Sequence, residues 1–144
     1  PYLIEFNVRM GDPECQTILP LLENDLLEML LNCCLGQLKR TKIQLNKKKS
    51  ICIVLCSKGY PEKYKKDICI NGLENLILKK NERIFHAGTK LKSKNILSSG
   101  GRVLNFVSMS NSLKKSRKNL IDLINKLNWK NGFFRKDIGY KVID

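Results

Sequence analysis

Apolar and polar residues alternate strictly over positions 2–10. Tyr2, Ile4, Phe6, Val8 and Met10 fall on one side, and Leu3, Glu5, Asn7 and Arg9 on the other. A period of two predicts a strand with one apolar and one mostly ionisable face, stopped by Gly11-Asp12-Pro13. From Leu21 to Leu35 the period changes. Leu22, Leu26, Met29, Leu30 and Cys33 form a helical stripe, Glu23 and Asp25 sit in the first turns, and Gly36 is a natural stop. Residues 37–49 read as a polar connection with a short strand at 42–45. Ile51–Cys56 is a compact apolar strand, and short strands are predicted at 68–70, 84–86, 90–91 and 95–97. After Ser99-Gly100-Gly101 comes a strand over Arg102–Met109. A helix then carries Leu113, Leu120, Ile121, Ile124 and Leu127 on one stripe, with Asn111 or Ser112 as its cap. Strands and helices without a βαβ rhythm predict an α+β fold.

The chain of 144 residues is 42% hydrophobic, enough for a real core, which excludes a disordered chain. No apolar run reaches the roughly 18–20 residues that span a bilayer. The net charge of +14 is unevenly placed, with one Arg against six acids in residues 1–35. Such a balance raises nucleic-acid binding as one possibility. However, Lys outnumbers Arg by 21 to 6, no aromatic residues interleave with the basic ones, and Lys114-Lys115 reads as a solvated helix face. A specific nucleic-acid partner is therefore not expected, nor a membrane. Six cysteines stand without a CxxC pair and with a single His, which argues against a thiolate metal site and for a reducing, cytoplasmic setting. Cys33, Cys34, Cys52 and Cys56 read as small core residues.

Glu5 and Asn7, two apart on one strand face, offer a carboxylate and an amide oxygen to the same side, a hard pair suited to Mg²⁺. Arg9, two further on, is placed to hold an oxyanion or a phosphoryl group in its planar fork. On spacing alone, a solvated strand face carries the same pattern.

Five ordered blocks take the argument further. Leu3–Glu14, which reads LIEFNVRMGDPE, is similar to the closing motif of the ATP-grasp domain in the glycinamide ribonucleotide synthetase (phosphoribosylamine–glycine ligase) family. Val54–Pro61 resembles that family's strand ending in Gly-Tyr-Pro. Phe85–Thr89, Ser99–Leu104 and Phe134–Gly139 resemble three more of its blocks, in the same order. The resemblance implies that residues 1–36 are the last strand and helix of an ATP-grasp domain. Residues 37–144 would be a small β-rich, barrel-like C-terminal domain with one long helix. It implies Glu5 and Asn7 as Mg²⁺ or Mn²⁺ ligands, Arg9 facing the acyl phosphate, and Asp12 and Glu14 shaping the acceptor pocket. Apart from the resemblance, Gly100-Gly101-Arg102 offers backbone N–H groups and a guanidinium to a phosphate, a pattern that a tight turn before a strand explains equally well, and Arg102 is taken as a contact for the sugar phosphate. The implied substrates are ATP, glycine and 5-phosphoribosylamine. The implied partner is an upstream ATP-grasp part of the same chain, without which this piece is expected to be inactive.

Where the family has glycines after Gly-Tyr-Pro, this chain has Glu62 and Lys66-Asp67, so those turns are expected to differ. His86 reads as a hydrogen-bonded structural residue, Arg135 and Asp137 as an ion pair, and Trp129, Phe133 and Phe134 as core. Two other classes are set against the ligase: a noncatalytic accessory domain derived from it, and a basic nucleic-acid-binding module.

Overall fold

The computed structural model describes residues 1–143. In chain order the elements are α1 (Glu14–Ile18), α2 (Leu26–Cys34), β1 (Lys49–Ser57), β2 (Glu82–His86), β3 (Thr89–Lys92), β4 (Asn95–Ser98), β5 (Arg102–Ser110), α3 (Leu113–Leu127) and β6 (Gly132–Phe133). Strands β2, β5, β1 and β6 form one antiparallel sheet in that order, and β3 and β4 form a separate hairpin. The expected α+β mixture is present. The sheet is open, with β2 and β6 at its edges, so strand pairing among the described residues does not close the expected barrel.

The core follows from alternation in the two longest strands. Ile53 lies opposite Phe106 and Leu55 opposite Leu104, and together with Ile51 they meet Leu120, Leu123, Ile124 and Leu127 of α3. These residues are all buried, and their burial is the main force holding helix to sheet. The cap of α3 differs in detail from the expected one. Ser112 occupies the cap position without a side-chain bond. Instead, Ser110 Oγ donates to the Ser112 carbonyl at 2.7 Å and lies 2.8 Å from buried Ser116 Oγ. Trp129 packs against this core and donates its indole N–H to the Cys69 carbonyl at 3.0 Å.

Five expectations are corrected. Residues 2–10 are not a strand; they have no regular structure, and Tyr2, Ile4, Phe6 and Val8 stand exposed. An alternating sequence becomes a strand only when a neighbour takes its N–H and C=O groups, and no strand of the described residues pairs with this segment. Helix α2 begins at Leu26 rather than Leu21, because Asp25 caps it by accepting from the N–H groups of Leu27 and Glu28. It ends as expected at Gly36, whose φ of +67° lets Gly36 N–H bond the Cys33 carbonyl and Gln37 N–H the Asn32 carbonyl. No residue of α2 is buried, so Cys33 and Cys34 are exposed rather than core; Cys52 is buried. The segments at 42–45 and 68–70 are single bridges, Leu22 to Leu45 and Cys69 to Leu97. Finally, Asp67 adopts a left-handed φ of +61° in place of a glycine. Aspartate tolerates this better than most residues, and here its carboxylate meets Lys90 Nζ at 2.5 Å while its N–H bonds the Ser98 carbonyl.

Candidate functional site

The sheet face opposite α3 carries Cys52, Val54 and Cys56 of β1, and α1 lies against β1 and β5. A cavity of about 470 Å³ opens there between Pro13, Tyr60, Arg102, Phe133, Arg135 and the β1 face. The Gly11–Pro13 turn at its rim continues directly into the segment that carries Glu5, Asn7 and Arg9.

On that segment, Asn7 Nδ2 donates to Glu5 Oε1 at 2.8 Å. The two side chains therefore share one side of the chain even without a strand. Rotating the Asn7 amide would bring its carbonyl oxygen beside the carboxylate, so the donor set fits a hard divalent cation. Among the described residues, no group of three or more His, Cys, Asp or Glu side chains comes together. Glu5 and Asn7 would be the protein's share of a shell completed by phosphate oxygens and water. Arg9 is exposed and donates to the Met10 carbonyl at 2.9 Å, close in sequence to the pair but not in contact with it.

Asp12 and Glu14 build the turn. Glu14 Oε2 accepts from Gly11 N–H at 2.8 Å, and Asp12 Oδ1 from Gln16 Nε2 at 3.0 Å. Arg102 reaches the same turn from β5: one terminal nitrogen lies 3.2 Å from Asp12 Oδ2, and the other donates to the Asp12 carbonyl at 3.1 Å. The structure thus joins three of the expected acceptor residues, Asp12, Glu14 and Arg102, around one turn. Nothing local in the sequence signals that contact, which spans 90 residues.

Arg135 and Asp137 form the expected pair, with bonds of 3.1 and 2.6 Å. These hydrogen bonds hold the Asp137 carboxyl below the ordinary carboxylate range. His86 Nδ1 lies 2.9 Å from Thr89 Oγ1, a local bond that gives it no catalytic partner. Burial pushes the Cys52 thiol up to about 12. The residue that sequence reasoning missed is Asn105. It is fully buried on β5, opposite Val54 and Phe85, and neither its Nδ2 nor its Oδ1 has a hydrogen-bond partner.

The antiparallel sheet backed by one helix has a counterpart among solved structures. Over 95% of this chain it superposes on 33% of the crystal structure of phosphoribosylamine–glycine ligase from Thermotoga maritima, with a TM-score of 0.70 and 28% sequence identity. The family model "Phosphoribosylglycinamide synthetase, C domain" matches residues 50–141. The chain belongs to the phosphoribosylglycinamide synthetase family. It is 40% identical over 99% of its length to the chloroplastic phosphoribosylamine–glycine ligase of Arabidopsis thaliana, and 43% identical over 96% to the phosphoribosylamine–glycine ligase of Caldanaerobacter subterraneus. It is also 43% identical over 99% to the bifunctional purine biosynthetic protein purD of Dictyostelium discoideum. The chain spans 27% of the length of the first of these relatives, 32% of the second and 18% of the third.

Proposed function

We propose that this chain is the C-terminal part of an ATP-dependent ligase that joins glycine to 5-phosphoribosylamine in purine biosynthesis. The observation that carries the reading is the Glu5–Asn7 contact, 2.8 Å, on a segment that also lies within the stretch shared with the ligases. Residues 1–36 would complete an upstream ATP-grasp part, and residues 37–144 would be the C-terminal domain. The family match, residues 50–141, lies within the second of these parts.

In this reading the glycine carboxylate attacks the γ-phosphorus of ATP, giving glycyl phosphate and ADP. The amine of phosphoribosylamine then attacks the activated carbonyl, giving glycinamide ribonucleotide and phosphate. Most of such catalysis is positioning and electrostatics. Glu5 and Asn7 would hold Mg²⁺ or Mn²⁺, whose chemistry here is neutralisation of charge on the ATP phosphates. The Arg9 guanidinium balances the charge on the phosphoryl oxygens. Asp12 and Glu14 shape the acceptor side by fixing the turn, and Arg102 flanks it.

The test is ADP release by the full-length protein. Release should require both glycine and freshly generated phosphoribosylamine, and be lost in Glu5→Ala and Asn7→Ala. A folded, ATP-binding protein that releases no ADP under these conditions would favour the accessory-domain reading.

A further inference from the structure

Arg102 is anchored more firmly than the segment it meets. It opens β5 opposite Cys56, at a shift in the β1–β5 register, and fully buried Val103 follows it. The two glycines before it are tied to β1, since Ser57 N–H bonds the Gly101 carbonyl at 2.7 Å and Ser57 Oγ the Gly100 carbonyl at 2.9 Å. From this rigid mount, both terminal nitrogens of Arg102 go to a single residue, one to the Asp12 carboxylate and one to its backbone carbonyl. A fork contact of this kind fixes orientation as well as distance, which a lysine ammonium does not. Residues 1–10, by contrast, have no regular structure. The pair is 44% and 36% exposed, so it adds little to folding stability. What it does is hold the turn.

We propose that Arg102 is a positioning residue for the divalent-cation pair. Through Asp12 it sets the Gly11–Pro13 turn, and with it the direction in which Glu5 and Asn7 leave the domain. The inference rests on the reading of Glu5 and Asn7 as metal ligands, and it replaces the expected contact of Arg102 with the sugar phosphate.

The experiment is Mn²⁺ binding to the full-length protein in the presence of ATP, read from the electron paramagnetic resonance signal of free Mn²⁺. The variants are Arg102→Ala, Arg102→Lys, Asp12→Ala, the Arg102→Ala/Asp12→Ala double variant, and Glu5→Gln. Arg102→Ala should keep the wild-type melting temperature within a few degrees and weaken Mn²⁺ binding about 10-fold, the lower end of what loss of a supporting residue costs a metal site. Arg102→Lys should not restore it, and the double variant should bind no worse than the weaker single one, because the two residues act as a unit. Unchanged Mn²⁺ affinity in Arg102→Ala, with a raised KM for phosphoribosylamine, would overturn the proposal and return Arg102 to the sugar phosphate. Affinity lost in Glu5→Gln but kept in Arg102→Ala would defeat this inference alone. Affinity kept in both would defeat the metal-ligand reading as well.

Discussion

Leu120→Ala probes the contact on which the domain is built. Leu120 is wholly buried where α3 meets β1 and β5. Truncation removes three carbon groups from an apolar setting, about 2.4 kcal/mol at roughly 0.8 kcal/mol per methylene. Only partial collapse of the cavity brings the cost to about 3–4 kcal/mol. For a domain of this size that corresponds to a drop of about 10 °C in Tm. The matching control is Leu27→Ala on α2, where the side chain is 75% exposed and truncation should cost less than about 0.5 kcal/mol. Urea unfolding of the 144-residue chain, followed by far-UV circular dichroism, measures both, and the slope against urea should be the same for both variants. A cost below about 1 kcal/mol for Leu120→Ala would refute the packing of α3 on the sheet. Equal costs for the two variants would show that α2 is part of the same core.

Further expectations follow from the same structure. At pH 8 a thiol reagent should label exposed Cys33 and Cys34 of this chain within minutes, while Cys52, buried and pushed up to about 12, reacts only on unfolding; mass spectrometry of the labelled peptides decides. Asn105→Leu should stabilise the chain by about 1–3 kcal/mol, because it replaces a buried amide that has no partner at either end with an apolar group of similar size. Urea unfolding that shows a loss instead would mean the amide is satisfied. Asp137, whose carboxyl is lowered by its bonds from Arg135, contributes stability above the unfolded carboxylate range that is lost as pH falls through its folded value. The small difference between wild type and Asp137→Asn should therefore close on acidification, and a gap that widens in acid melts would contradict the sign.

The parts of the fold legible in the sequence were those whose signal is local. Ile51–Cys56 and Arg102–Met109 carry enough apolar, β-branched residues to be strands anywhere, and the Leu113–Leu127 stripe buries one side of a helix as its period requires. Residues 2–10 show the limit of such reading. Their alternation specifies which side of a strand would be apolar, but pairing is supplied by another segment, and here none of the described residues pairs with them. The start of α2 was misplaced because Asp25 reads equally well as a first-turn acid and as a cap. The Glu5–Asn7 pairing was legible, since two residues on one face need only local geometry. The Arg102–Asp12 contact was not, because it depends on how α1 and β5 come together.

The central claim, that the parent protein activates glycine as an acyl phosphate, is tested most directly with glycine labelled by ¹⁸O in both carboxylate oxygens. If the carboxylate attacks ATP and the amine then displaces phosphate, one labelled oxygen must pass from each glycine into the phosphate released. The account predicts phosphate carrying one ¹⁸O per turnover, and none from Glu5→Ala. Unlabelled phosphate released together with glycinamide ribonucleotide would contradict it.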